Sequence, residues 1–376
     1  MTKRPREVTI APEEAVPEAD RLEGFAHPRE NMDLVGHGKA EQVLLEAFRS
    51  GQLHHAWLLT GPEGIGKATL AYRFARFLLA GAPEDTLVPQ HDLAVAPSLP
   101  AVRQIAAQAH PGLLVIHRAY DPQKKRAPVS ITVDEVRRLK DFLALTADEG
   151  AWRVVIVDRA DEMNPNAANA LLKSLEEPPG QTVFLLVSAE PGRLLRTIRS
   201  RTRRLGLSPL STADLERALA APLAAAGEAA IAPGEIETLT TLAGGSVRKA
   251  LVLKCGDGLA LYERLLKLLG AARPGPEILK LADSAGAGDA SFLTLLDLLE
   301  GLMSRLAHHA ATSSGALGGE ARLAKRLADA DQLASWAGLW ETIGRVRSDA
   351  LTLQLDRRAL LLDLLTRLTE PGRQAA

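Results

Sequence analysis

The sequence predicts an α/β protein in which a parallel sheet is followed by an all-helical part. From residue 39 to about residue 207, short apolar runs that suit buried strands alternate with amphipathic helical patterns. This alternation is typical of a parallel sheet with helices packed on it. After Pro209 the strand patterns end, and helical patterns continue to about residue 370. With 376 residues, the chain is long enough for two or three domains.

The composition is that of an ordinary globular protein, and it excludes several functional classes. Lys and Arg total 45 against 46 Asp and Glu, so the chain is not a polycationic protein that coats DNA. Only 4% of the residues are aromatic, which argues against a base-stacking platform for single strands. Cys255 is the single cysteine, and this excludes an internal disulfide and a multi-cysteine zinc site within the chain.

The sequence also leads us to expect a cytoplasmic protein. It contains no run of about 18 apolar residues that could span a membrane. Its first residues carry charges where a signal peptide needs an apolar core. Residues 1–24 mix charge, proline and small residues without a helical or strand period, and we interpret them as a disordered tail.

The first predicted elements are a helix, a strand and a second helix. Apolar residues at 43, 44, 47 and 48 form one face of a helix that stops near Gly51. The apolar run 56–59 predicts a strand, and the helical spacing of apolar residues from Leu70 onward predicts an amphipathic helix. A glycine-rich turn therefore lies between a strand and a helix.

The following segments are predicted to complete the sheet. Residues 81–100 are rich in proline and predict a loop. Thr132 and Glu135 form a capping box at the start of one helix, and Asn164 suits the N-cap of another. The remaining strands are predicted at 113–116, 153–157, 183–187 and 203–207.

The glycine-rich turn carries a phosphate-binding motif. Residues 61–69, GPEGIGKAT, match the P-loop pattern G-x-x-x-x-G-K-[ST] up to its last position. Gly61, Gly64 and Gly66 let the backbone approach phosphate oxygens, and Lys67 supplies a charge for the outer phosphates. Since the loop lies between a predicted strand and a predicted helix, we predict that it holds ATP or ADP. A glycine-rich turn without a ligand is the alternative.

The residue after the P-loop lysine departs from the motif. Position 68 is alanine, whereas the pattern requires a Ser or Thr hydroxyl that binds Mg²⁺. Thr69 has a hydroxyl, but one helical step turns it about 100° away from the position of Ala68. We therefore predict that Ala68 and Thr69 belong to a nucleotide site in which one Mg²⁺ ligand is missing, so that Mg²⁺ binds weakly or not at all.

A second nucleotide-binding element is the strand that ends in Asp158. An apolar strand followed by an aspartate is the Walker-B arrangement, in which the carboxylate lies near the metal. Many hydrolysing P-loop ATPases have a glutamate next, which acts on the attacking water, but here the next residue is Arg159. A guanidinium cannot accept a proton. Asp161 and Glu162 are nearby alternatives for the base.

Two groups of basic residues have more than one interpretation. Residues 193–204, RLLRTIRSRTRR, contain six arginines. A solvated basic face, contact with the phosphate backbone of DNA, and an arginine finger for a neighbouring subunit are all consistent with this spacing. Lys124, Lys125 and Arg126 predict a solvated loop, with DNA contact as the alternative.

The order of these motifs resembles a known family. Along the chain come the P-loop, the strand VVIVD, the helix NALLKSLEEPP, the strand VFLLVS and the segment IRSRTRR. This order resembles the clamp-loader branch of the AAA+ ATPases, and residues 164–179 are its most specific part. Residues 353–365, LQLDRRALLLDLL, resemble a motif in the collar helices of that branch. The resemblance covers the chain from about residue 25 and is strongest over 35–210.

The resemblance implies roles for individual residues. Ser200, Arg201 and Thr202 align with the branch's Ser-Arg-Cys motif, whose arginine acts on the ATP of the adjacent subunit. Ser188 falls at the sensor-1 position. Arg248 falls at sensor 2, where an arginine faces the γ-phosphate, and a helix-surface arginine is its alternative. Motor members of the branch carry a four-cysteine zinc module, which this chain lacks, so we expect no zinc.

The resemblance also implies an architecture and partners. It predicts an α/β nucleotide-binding domain at 25–209, a small helical lid at 210–270 and a helical collar at 271–376. The implied partners are the gamma/tau and delta clamp-loader subunits, contacted through the collar and the AAA+ faces. The sliding clamp and primed DNA would be reached through the assembled complex.

The two departures at the nucleotide site predict the part that this chain plays. Ala68 and Arg159 remove hydrolysis chemistry but not phosphate binding, so we predict a stator and arginine-finger donor whose own ATPase is weak or absent. The alternatives are an active gamma/tau-like motor and a P-loop kinase, for which the helical half offers no acceptor site. No acidic triad is spaced for two metals, so we expect no polymerase site.

Overall fold

The structure, a computed structural model, describes most of the chain. The described residues form two compact units, whose boundary in the sequence lies between Ser208 and Pro209. Most of the predicted tail and the basic group at 124–126 lie outside the described residues. The described residues are 18, 21–81, 91–120, 128, 130–144, 151–271, 274–312, 317, 319, 320, 323, 338–347 and 355–369.

The first unit is built around a parallel sheet. Its described strands are β1 (Ala56–Thr60), β2 (Leu113–Ile116), β3 (Arg153–Val157), β4 (Thr182–Ser188) and β5 (Arg203–Gly206). They pair in the order β2-β3-β4-β1-β5, and every pairing is parallel. β1 and β4 are buried along their whole length, as interior strands of a covered parallel sheet are. The predicted parallel α/β sheet is confirmed.

Helices flank these strands in the first unit. Asn164 begins α5 as predicted, because its side chain accepts a hydrogen bond from the backbone N–H of Ala167 at 2.8 Å. The prediction missed α3, which begins at Pro100, where a proline fits the first helical turn without losing a hydrogen bond. The described helices are α1 (Gly38–Arg49), α2 (Lys67–Leu79), α3 (Pro100–Ala106), α4 (Val133–Ala144), α5 (Pro165–Glu176) and α6 (Arg196–Ser200).

The sheet brings the predicted motifs to one edge. Since all pairings are parallel, the carboxyl ends of the strands lie on the same side, with Thr60 opposite Ser188 and Val157 opposite Leu186. Behind that edge, apolar side chains of the sheet pack with α4 and α5 in a single buried cluster. Full burial of one such Leu or Val contributes about 1.5–3 kcal/mol. Ligands of open α/β sheets bind outside the carboxyl ends of the strands.

The regular secondary structure of the second unit, over its described residues, is entirely helical. Its predicted division into a lid and a collar falls in the connection between α10 and α11, and this division stays a prediction. No helix in the described part of the chain is long and apolar enough to cross a membrane. The helices with described bounds are α7 (Thr212–Ala225), α8 (Glu235–Ala243), α9 (Val247–Cys255), α10 (Gly258–Gly270), α11 (Gly275–Gly286), α12 (Asp289–Thr312) and Arg357–Thr369, and residues 338–347 are also helical.

Candidate nucleotide-binding site

The P-loop connects β1 to α2 with a backbone that only glycine suits at several positions. Gly61, Gly64 and Gly66 have φ angles of +144°, +76° and +110°. A Cβ on Gly61 would lie 2.4 Å from the carbonyl oxygen of Leu207, so any side chain there would displace the loop. Gly66 is the N-cap of α2 and offers no capping side chain. The first N–H groups of α2 thus form an anion-binding helix end.

Lys67 provides a buried positive charge within this loop. It is 5% exposed, and its Nζ donates to the carbonyl oxygens of Gly61 at 2.7 Å and Pro62 at 2.5 Å. Burial lowers the pKa of Lys67, and the carboxylates of Asp158 and others nearby partly oppose that shift. The side chain is therefore held within the loop itself, beside the helix end that suits phosphate.

The two residues after Lys67 contribute no exposed hydroxyl. Ala68 has a methyl side chain, and Thr69 is a buried residue within the first turn of α2. Position 68, where the P-loop motif supplies a metal ligand, is therefore apolar.

At the end of β1, the hydroxyl of Thr60 accepts a hydrogen bond from Nε of Arg204 at 3.1 Å.

Asp158 and Arg159 follow β3 at the same edge of the sheet. The carboxylate of Asp158 accepts a hydrogen bond from the backbone N–H of Arg159 at 3.0 Å. The guanidinium of Arg159 donates to Glu162 at 3.0 Å and also pairs with Glu63 of the P-loop. Burial alone would lower the pKa of Arg159, but Glu63, Glu162 and Asp158 outweigh it and the pKa is raised. Arg159 therefore connects the end of β3 to the tip of the P-loop.

Asp161 and Glu162, the alternative bases, both have partners that hold loops in place. The two carboxylate oxygens of Asp161 accept hydrogen bonds from the backbone N–H groups of residues 189–190, each at 3.3 Å. Glu162 pairs with Arg118 at 2.9 Å and with Arg159 at 3.0 Å. These contacts tie Asp161 to the loop after β4 and Glu162 to two arginines.

Ser188 ends β4, beside the end of β1. It is fully buried, and its Oγ is without a hydrogen-bond partner. A buried hydroxyl that lacks a partner costs free energy unless a ligand or water supplies one. This atom, next to Thr60 in the sheet, fits a site whose bound group completes its hydrogen bonding.

Arg201 lies at the end of α6 and is about one-third exposed. Its guanidinium pairs with Glu176 at 2.7 Å and donates to the carbonyl oxygen of Thr197 at 3.1 Å. Thr202, which replaces the family's cysteine, donates its hydroxyl to the carbonyl oxygen of Ile198 at 3.2 Å. The three-residue motif thus caps α6, and Arg201 rests on the last turn of α5.

Arg248 belongs to the second unit, so its predicted role at the nucleotide stays a prediction. It is the second residue of α9, and the N-cap Ser246 accepts a hydrogen bond from the backbone N–H of Lys249 at 3.2 Å. Before it, Gly244 and Gly245 have φ angles of +58° and +70°. The Gly-Gly-Ser turn therefore fixes where α9 begins.

Two residues that contact the P-loop were not predicted from the sequence. His37 precedes α1 and is 5% exposed, and its Nε2 donates to the carbonyl oxygen of Ile65 in the P-loop at 2.6 Å. Glu63 is the loop carboxylate that pairs with Arg159. Both contacts join residues far apart in the sequence, 28 residues for His37 and 96 for Glu63. No local pattern signals such pairs.

Comparison with known proteins shows that the first unit is similar to subunits of DNA polymerase III. Residues 36–211 match the family model described as DNA polymerase III, delta subunit. The chain is 45% identical over 147 residues to DNA polymerase III subunit delta' of Pseudomonas aeruginosa, covering 39% of this chain and 41% of that protein. It is 31% identical over 233 residues to Escherichia coli subunit delta', covering 62% and 64%.

A second kind of relative is similar over a comparable stretch. Subunit gamma/tau of Mycobacterium tuberculosis is 30% identical over 257 residues, which cover 65% of this chain and 40% of that protein. The chain thus spans less than two-thirds of the length of each of these three relatives.

Proposed function

We propose that this chain, whose residues 36–211 match the family model described as DNA polymerase III, delta subunit, is a delta-prime-like clamp-loader subunit. In this role it binds a nucleotide without hydrolysing it, acts as a stator, and supplies an arginine finger to a neighbouring motor subunit. The observation that carries the proposal is Arg159, which occupies the position of the catalytic glutamate and pairs with the P-loop through Glu63.

The chemistry of the site supports holding rather than hydrolysis. A guanidinium cannot take a proton from the attacking water. Asp161 and Glu162 are engaged with backbone N–H groups and arginines, so neither is placed as a free base. Gly61 and Lys67, by contrast, keep the geometry that suits phosphate.

The setting of Arg201 supports a role outside its own chain. The Arg201–Glu176 pair is partly exposed, and such pairs contribute only about 0.2–1 kcal/mol. A phosphate of a neighbouring subunit's nucleotide would replace Glu176 at small cost. An arginine finger increases turnover by about 10³ to 10⁵ in the systems where it has been measured.

The assembly follows from the same proposal. The partners are gamma/tau and delta subunits, bound through the AAA+ faces and through the collar predicted at 271–376. The assembled complex places a sliding clamp on primed DNA in the cytoplasm. The similarity to delta' relatives, including 45% identity in one case, supports this assignment over a gamma/tau-like motor.

Substitution of Arg201 tests the proposal. We consider a complex reconstituted with gamma/tau and delta subunits. Arg201→Ala should lower its rate of ATP hydrolysis by at least the contribution of the neighbouring subunit's ATP site, because that site loses its arginine finger. Nucleotide binding by the purified variant should equal that of the wild type. The measurement is steady-state ATP hydrolysis by the complex, with and without primed DNA.

Arg193→Ala is the matched control, since Arg193 is an exposed arginine of the same segment whose partner Glu190 lies 3.7 Å away. Unchanged hydrolysis in the Arg201 variant would contradict the finger role. Rapid, Mg²⁺-dependent hydrolysis by the isolated wild-type chain would instead indicate a gamma/tau-like motor.

A further inference from the structure

The nucleotide site has its own cation at the place where P-loop proteins use a metal ion. Arg159 stands beside the Walker-B carboxylate of Asp158, and its guanidinium reaches Glu63 in the P-loop and Glu162 behind it. A metal in P-loop proteins likewise lies between the Walker-B aspartate and the loop. A positive charge of this chain thus occupies the region between the same two elements.

The residues present do not fit Mg²⁺. This ion needs near-octahedral oxygen coordination, and the P-loop proteins provide one ligand through the hydroxyl after the lysine. Ala68 has no hydroxyl, and one oxygen of Asp158 is engaged by the backbone N–H of Arg159.

We propose that this site binds the phosphate chain of ADP or ATP without a metal ion, and that Arg159 supplies the positive charge that Mg²⁺ supplies elsewhere. This inference rests on the proposed nucleotide-holding role. The planar guanidinium can form two parallel hydrogen bonds to a phosphate group. Lys67 and the N-terminal end of α2 complete a cradle of positive charge.

Release of Arg159 from the P-loop is the step that makes room for phosphate. Glu63 is nearly half exposed, so its pair with Arg159 contributes little, and a phosphate group can replace its carboxylate. The pair with Glu162 stays, because Glu162 is also held by Arg118. Arg159 therefore keeps one fixed anchor while its other face turns to the ligand.

Binding measurements on the full chain test this inference. Calorimetric titration with ADP and with ATP should give an affinity in excess EDTA that equals or exceeds the affinity in excess Mg²⁺. Arg159→Gln should weaken binding in EDTA by about 10- to 100-fold, as expected for loss of hydrogen bonds to a charged group. Glu63→Gln should strengthen it, because the competing carboxylate is gone.

Arg193→Gln is the matched control and should bind like the wild type. Binding that requires Mg²⁺, or an Arg159→Gln variant that binds as tightly as the wild type in EDTA, would overturn the inference. Tighter nucleotide binding by the Arg159→Gln variant would show instead that Arg159 blocks the phosphate-binding site. If Arg159→Gln does not fold, unchanged or weaker binding by Glu63→Gln overturns it. The finger role is tested separately by the ATPase of the Arg201 complex.

Discussion

Arg76 shows how one buried charge can hold the segment that leads to the P-loop contact of His37. It lies on α2 and is fully buried, and its guanidinium donates to the carbonyl oxygens of Arg29 at 2.9 Å and Asn31 at 2.7 Å. Burial lowers the pKa of Arg76 to about 10. These carbonyls belong to the segment that leads to His37, whose imidazole donates to the P-loop carbonyl of Ile65. Arg76 therefore supports the loop from behind.

Replacing Arg76 by Met should lower the free energy of unfolding by about 2–4 kcal/mol, because two buried carbonyl groups lose their donor. Urea unfolding measures this change. Arg137→Met is the control, since Arg137 is an exposed arginine on α4, and it should change stability by less than about 0.5 kcal/mol. Equal effects of the two substitutions would show that Arg76 does not hold the segment.

At the scale of elements, the start of β1 is tied to the end of α5. His55, just before β1, donates Nε2 to the carbonyl oxygen of Leu175 at 3.0 Å, and its ring stacks on His54 with 4.4 Å between centroids. Glu176, the next residue of α5, pairs with Arg201. The contact of His55 therefore fixes the helix end on which the proposed finger rests.

His55 gives the stability of this connection a pH dependence. Burial, and then the neighbouring His54, lower the pKa of His55. The unfolded chain, with a pKa of about 6.5, takes up the proton first as the pH falls. The stabilisation is therefore complete above about pH 6.5 and is lost as the pH falls through the folded-state pKa.

We expect the free energy of unfolding to decline as the pH falls from about 6.5 through the lowered folded-state pKa of His55, and His55→Gln to reduce that decline. NMR titration of the His55 ring checks the shift directly. Identical declines in the wild type and the His55→Gln variant would show that His55 does not cause the pH dependence.

The elements also show what the sequence could and could not predict. β2 and β3 have the bounds predicted for them, because each is a short apolar run with clear ends. β3 is buried on both faces, whereas β2, at the edge of the sheet, is fully buried only at alternate residues. The P-loop was predictable because its glycines and lysine are close in sequence. The pair of Arg159 with Glu63 and the contact of His37 with Ile65 depend on strand order, which brings distant residues to one edge. For α3, seven residues after a proline-rich stretch gave too short a pattern.

At the scale of the whole molecule, the two units carry different parts of the proposed function. The first unit contains the phosphate loop and Arg201, and the second contains the predicted lid and collar. A buried polar cluster organises the second unit: the fully buried Glu320 accepts hydrogen bonds from Tyr262 at 2.8 Å and Arg305 at 2.7 Å. Burial, and then Glu320, raise the pKa of Tyr262, so its hydroxyl stays a donor.

Glu320→Gln therefore separates assembly from nucleotide binding. It leaves the nearly buried guanidinium of Arg305 without its counter-charge, and loss of one partner from a buried pair costs about 3–5 kcal/mol. We expect the helices of the second unit to unfold at a lower temperature and the chain to assemble less well with gamma/tau and delta subunits. Calorimetry and size-exclusion chromatography measure these two effects.

The affinity of the Glu320→Gln variant for ADP should stay at the wild-type value, because the phosphate loop, Lys67 and Arg159 belong to the first unit and ADP lacks the γ-phosphate that Arg248 is predicted to face. Glu277→Gln, which removes the exposed partner of Lys280, is the control and should alter neither property. Loss of both assembly and ADP affinity in the Glu320→Gln variant would mean that the first unit needs an intact second unit to form its site. The proposed separation of nucleotide binding in the first unit from assembly through the second unit would then be wrong.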